Sequence, residues 1–180
     1  QRANTRQTDF RPLMENPMSK PLRLGIAGLG TVGIGTVKIV QSHADLLRRR
    51  TGRTMAITAV SARNRSKNRD ADLSAYQWED DPVALARRGD VDVFVELMGG
   101  SEGPALDATR AAIAAGKDVV TANKAMLALH GQSLAETAEA KGHVIRFEAA
   151  VAGGIPVVKA LTEGLAGNEI RRVMGVMNGT

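Results

Sequence analysis

The 180-residue chain has no cysteine, so disulfide frameworks, thiolate nucleophiles and zinc–cysteine sites are all excluded. Aromatic residues make up 3% of it, too few to build a surface on which single-stranded bases could stack. Its three histidines, His43, His130 and His143, are scattered and show no metal-ligand spacing. No apolar run approaches the length that spans a bilayer, and there is no internal repeat. The formal charge of +5 is spread out, with Arg48–Arg50 and Arg63–Arg69 as the clusters, and it suits an anionic small molecule. Neither nucleic acid nor membrane is expected as a partner, and the cytoplasm is the expected location. An apolar fraction of 43% is ordinary for a globular protein. At this length the chain can bury one full domain with part of a second.

What is present begins at Leu22–Val37, LRLGIAGLGTVGIGTV, in which Gly28, Gly30 and Gly33 form G-x-G-x-x-G. A short apolar strand runs directly into a helical stretch, the context this motif requires. Gly28 permits a tight turn, Gly30 puts no Cβ between backbone and a pyrophosphate, and Gly33 lets helix and strand approach. The free N–H groups at the start of the helix then face the phosphates along a favourable dipole.

The rest of the chain alternates short apolar strands with helices, which predicts right-handed βαβ units and a Rossmann-type, doubly wound parallel α/β sheet. The first helix is expected to continue from Thr31 to about Arg50, with a second strand at Met55–Ser61. The tip of that strand, Ser61 to Lys67, has no acid to bind ribose hydroxyls. Arg63 there can stack on adenine or pair with a 2′-phosphate, and Arg65 or Lys67 can add a second donor. A phosphorylated dinucleotide is therefore preferred, with NAD(H) as the alternative. Asp70–Asp81 reads as a loop, Pro82–Arg88 as a helix capped by Asp81, and Val91–Leu97 as a strand followed by Gly99 and Gly100. Pro104–Ala115 reads as a helix, Asp118–Ala122 as a strand, Gln132–Lys141 as a helix and Val144–Ala149 as a strand. Residues 1–20 are expected to be a flexible leader, with a natural start at Met14 or Met18, and residues 21–160 to be the cofactor domain.

Ligands of such sheets lie beyond the carboxyl ends of the strands. Lys124 falls just past one strand end, where its ammonium could reach a substrate oxygen beside the nicotinamide. Glu148 falls at another, ahead of an irregular turn, so its carboxylate and the turn's carbonyls offer an all-oxygen cation site; it could equally hold a backbone N–H.

Five segments carry a resemblance: GIAGLGTVG (Gly25–Gly33), VELMGG (Val95–Gly100), VVTANKAMLA (Val119–Ala128), FEAAVAGGIPVVKAL (Phe147–Leu161) and GVMNGT (Gly175–Thr180). From about Leu22 onward the chain resembles homoserine dehydrogenase. The resemblance implies NAD(P)-dependent interconversion of L-homoserine and L-aspartate 4-semialdehyde, in the threonine, methionine and isoleucine pathway. It implies a cofactor loop at Leu29–Gly33 with Thr31 and Val32 at the pyrophosphate, Arg63 at the 2′-phosphate, and Gly99 and Gly100 along the nicotinamide half. It implies that Lys124 binds or polarises substrate. It further implies a sodium-type ion held by Glu148 and by the carbonyls of Val151, Gly153 and Ile155. Residues 161–180 are then expected to open a substrate domain that the chain does not contain, so that the piece binds cofactor with little or no turnover. The intact enzyme is expected to be a homodimer. Two alternatives share this cofactor fold, a non-catalytic NADP(H) sensor and a related dehydrogenase such as aspartate dehydrogenase; a sensor has no use for Lys124.

Overall fold

The structure is a computed structural model that describes residues 20–175. The expected leader lies outside these residues except for Lys20, as do Asn178, Gly179 and Thr180.

Six strands form one wholly parallel sheet in the order β3-β2-β1-β4-β5-β6. β1 is Leu22–Ala27, β2 Met55–Ser61, β3 Gln77–Glu79, β4 Val93–Glu96, β5 Asp118–Thr121 and β6 Ile145–Arg146. This is the doubly wound order, in which successive crossovers wind outward on both sides of β1 and leave a switch point between β1 and β4. Alternation along the strands feeds two cores. Leu24, Ile26, Ile57, Val60, Val93 and Val95 pack on one face with Val37 of α1 (Thr31–Ser42). Ala27, Ala59, Phe94 and Val119 pack on the other. There they meet Leu85 of α3 (Pro82–Arg87), Leu106 and Ile113 of α4 (Pro104–Ala114), and Met126 and Leu134 of α5 (Lys124–Glu139). A parallel sheet buried on both faces needs both sets.

β1, β2, α3 and α4 fall where the sequence places them. Asp81 caps α3 by accepting the Val83 N–H at 2.8 Å, with Pro82 in its first turn. Four expectations need correction. The first helix is broken at His43 (φ −112°, ψ 21°), and α2 (Ala44–Thr51) follows as a separate helix. The stretch read as a loop contains edge strand β3, carrying Trp78 against the core around β2; three residues are too few to show a period-2 pattern. α5 begins eight residues before Gln132, at Lys124, because Asn123 accepts the Met126 N–H and starts the helix there. β6 has two residues, so Glu148 lies in a 3₁₀ turn, Glu148–Ala150, and not at a strand end. α6 (Val157–Lys159) then passes into a π turn at Ala160–Gly164. Among the described residues, no helix is long and apolar enough to cross a membrane.

Candidate functional site

The turns after β1, β2 and β4 converge at the switch point on a cleft of about 700 Å3. Gly28, Leu29, Gly30, Arg63 and Gly99 all line it, together with Asn64, Lys67, Arg69 and Met98. The three motif glycines have different reasons. Gly28 has φ +98°, and a Cβ there would fall 2.4 Å from the Leu97 carbonyl. A Cβ on Gly33 would fall 1.9 Å from the Gly28 oxygen, so this residue lets α1 sit against the end of β1. A Cβ on Gly30 would meet nothing within 4 Å. Protein packing does not demand a glycine at Gly30, and the room over it is open.

Thr31, Val32 and Gly33 form the first turn of α1 beside that room, with Val32 57% exposed. α1 carries no side-chain cap and no acid in its first turn. Its leading N–H groups therefore present a partial positive charge with no side-chain cap or first-turn acid to answer it among the described residues.

The Ser61–Asp70 tip is folded from within. Asn64 Oδ1 accepts the N–H groups of Ser66 and Lys67 at 3.0 and 3.1 Å. Arg69 binds this tip to the glycine turn, donating from Nε to the Leu29 carbonyl at 3.2 Å and from Nη2 to the Asn64 carbonyl at 2.7 Å. Arg65 and Arg69 lie over the Trp78 ring, 5.8 and 5.5 Å from its centroid. Arg63 and Lys67 line the cleft; Arg65 does not, and lines a neighbouring pocket with Trp78 to which Lys67 and Arg69 also contribute.

Across the switch point, Gly99 and Gly100 both have positive φ, +78° and +90°. Gly100 and Lys124 do not line the cleft. Lys124 is exposed at the first position of α5, directly after Asn123, whose amide donates to the Gly100 carbonyl at 2.6 Å. The tie brings the lysine's backbone to the nicotinamide-side turn expected from the sequence.

A model of the family described as "Homoserine dehydrogenase, NAD binding domain" matches residues 28–148, which contain every element of this cleft. The chain belongs to that family. Homoserine dehydrogenases from Neisseria gonorrhoeae and Pseudomonas aeruginosa are 46% and 44% identical to it over 161 residues, 89% of this chain. The match covers 37% and 36% of those relatives, so the chain spans little more than a third of their length. The solved homoserine dehydrogenase of Thiobacillus denitrificans superposes with a TM-score of 0.76 at 43% identity, over 83% of this chain and 34% of that one. The cleft therefore belongs to the nicotinamide-dinucleotide part of an oxidoreductase family.

The residues expected at a cation lie apart from the cleft. Glu148 accepts the Val158 N–H on Oε1 at 3.1 Å and the Lys159 N–H on Oε2 at 2.9 Å, so it caps α6. The Ile155 carbonyl accepts the Val157 N–H at 2.8 Å. Gly153 and Ile155 are exposed, and the turn bends through Ala152 (φ +49°) and Gly154 (φ +86°). Among the described residues there is no cluster of three or more His, Asp or Glu side chains for a metal. One carboxylate and three carbonyls are the all-oxygen donor types that a hard cation takes.

The sequence reading passed over Arg69, Asn64, Glu96 and Asn123. Glu96 did leave a signal: it is a carboxylate inside an otherwise apolar strand, VFVEL, and it is fully buried. Nothing in the sequence singles out Arg69 from Arg63 or Arg65.

Proposed function

We propose that the chain is the cofactor-binding part of a homoserine dehydrogenase that prefers NADP(H) and interconverts L-homoserine and L-aspartate 4-semialdehyde. The observation that carries the cofactor reading is the uncapped start of α1 facing open space over Gly30, with Arg63 and Lys67 on the same cleft and no carboxylate paired to either among the described residues. A diphosphate supplies the charge that α1 lacks. A 2′-phosphate supplies the partner for Arg63 and Lys67, the guanidinium through a planar bidentate contact and the ammonium as a point charge.

The nicotinamide, when bound, supplies or accepts the hydride. The chain's own part is to hold that ring along Gly99 and Gly100 and to place Lys124 at the substrate oxygen, where its ammonium stabilises developing negative charge or passes a proton. A sodium ion would be held by Glu148 with the carbonyls of Val151, Gly153 and Ile155, and would add fixed positive charge near that loop. On the same reading the intact enzyme is a cytoplasmic homodimer working on small molecules, with residues 21–160 as cofactor domain and 161–180 leading to the substrate domain.

Calorimetric titration of the intact protein with NADPH and NADH tests the reading. Arg63→Ala is expected to weaken NADPH by about tenfold, as loss of a charge-assisted bond does, and NADH by far less. Equal losses remove Arg63 from the 2′-phosphate. Assay of homoserine oxidation against other hydroxy and amino acids tests the substrate.

A further inference from the structure

Glu96 ends β4 with its side chain fully buried, and among the described residues no cation lies beside it. Its two oxygens serve different segments. Oε1 accepts the backbone N–H groups of Met98 and Gly99 at 2.7 and 3.2 Å. Oε2 accepts the hydroxyl of Thr121, itself buried at the end of β5, at 2.6 Å. The Thr121 oxygen accepts the Asn123 N–H at 3.0 Å, and the Asn123 side chain donates to the Gly100 carbonyl at 2.6 Å while capping α5. Glu96, Thr121, Asn123 and Gly100 thereby close a ring of hydrogen bonds across the gap between β4 and β5.

The ring has a physical purpose. A turn with Gly99 and Gly100 at positive φ has many backbone conformations open to it, and nothing else in its sequence selects one. Buried oxygens need donors, and here two N–H groups of the turn and the hydroxyl at the end of β5 meet the Glu96 carboxyl group. An amide in its place puts a donor either against the Met98 and Gly99 N–H groups or against Thr121, whose hydroxyl must then accept from it and turn its proton away from the acceptor it has now.

We infer that Glu96 is a positioning residue: it holds the Met98–Gly100 turn and the start of α5 in one fixed relation, so that the nicotinamide ring and Lys124 meet in register. The inference rests on the cleft being an NADP(H) site. The adenosine half of the cleft, built on Arg63 and the Asn64 turn, takes no part in the ring.

Two probes separate the halves: NADPH, and adenosine 2′,5′-bisphosphate, which lacks the nicotinamide. In calorimetric titration of the intact protein, Glu96→Gln is expected to weaken NADPH about tenfold or more while leaving the bisphosphate within about twofold. Asn123→Asp keeps an oxygen that caps α5 and replaces the donor to Gly100 with a carboxylate oxygen that repels its carbonyl, so the same selective loss is expected, and it decides the matter if Glu96→Gln does not fold. Equal losses for both probes, or no loss for either, overturn the positioning role. Failure of the unsubstituted protein to bind either probe overturns the reading of the cleft itself, a different result.

Discussion

The two ends of the same sheet treat charge in opposite ways. Where the strands begin, Arg23, Arg53 and Lys117 are each answered by the protein. Arg23 grips Asp92 with Nε at 3.1 Å, Nη2 at 2.7 Å and its own backbone N–H at 2.9 Å. The buried Lys117 donates to the Val91 carbonyl at 2.7 Å, and Arg53 to the Lys20 carbonyl at 2.7 Å. Where the strands end, Arg63, Lys67 and Lys124 have no carboxylate partner among the described residues, and α1 starts uncapped. Satisfied charges hold the fold, whereas unsatisfied ones seek a ligand. The carboxyl edge is accordingly where the cleft lies.

Substitutions in the two regions test this contrast, and the largest effect is expected where a ligand-side residue also packs. Gly33→Ala drives a methyl into the Gly28 oxygen, and a loss of about 3 kcal/mol in stability is expected in denaturant titration, along with cofactor binding. Gly30→Ala adds the same methyl to open space. Stability is expected to stay within about 0.5 kcal/mol, while NADPH affinity drops about tenfold or more. A Gly30→Ala protein that binds normally would break the assignment of that space to a diphosphate.

The smallest effect belongs to the amino edge, and it is one of pH. The Arg23 guanidinium beside Asp92 holds its carboxyl at about 2, below the ordinary 3.8. Because the folded value is the lower one, the pair's stabilisation is present above about pH 4 and is lost as pH falls towards 2. Asp92→Asn is expected to flatten that acid limb of stability, read by circular dichroism, with NADPH affinity at pH 7 unchanged. Lys117 lies on the same edge, and burial pushes its ammonium below the ordinary lysine value. Lys117 donates to a carbonyl of the neighbouring strand's lead-in, so its charge serves to join strands.

How much of this could be read beforehand follows the range of the signal. Leu22–Ala27 and Met55–Ser61 were legible because a buried parallel strand is a continuous apolar run between breakers. The glycine turn was legible because its φ and packing demands fall on residues a few positions apart. The start of α5 was not, since Lys124-Ala-Met-Leu-Ala is helical only once Asn123 caps it, and the sequence pattern placed the helix at Gln132–Lys141. β3 was hidden by its length, and what stabilises it is pairing with Ala59–Ser61 of a strand sixteen or more residues earlier. Among the basic residues at the tip, Arg65 and Lys67 looked equivalent; Trp78, brought alongside by β3, holds Arg65 over its ring and off the cleft, while Lys67 reaches both the cleft and the pocket beside Trp78.

Local chemistry by itself determined the parallel α/β class, the glycine turn and the basic tip, because each depends on residues within one turn or one strand. Tertiary structure alone decided which cations stay free, where α5 begins, and that Glu96 joins two loops. Those outcomes depend on which partners distant segments bring within hydrogen-bond reach, and a linear order of residues does not contain that distance.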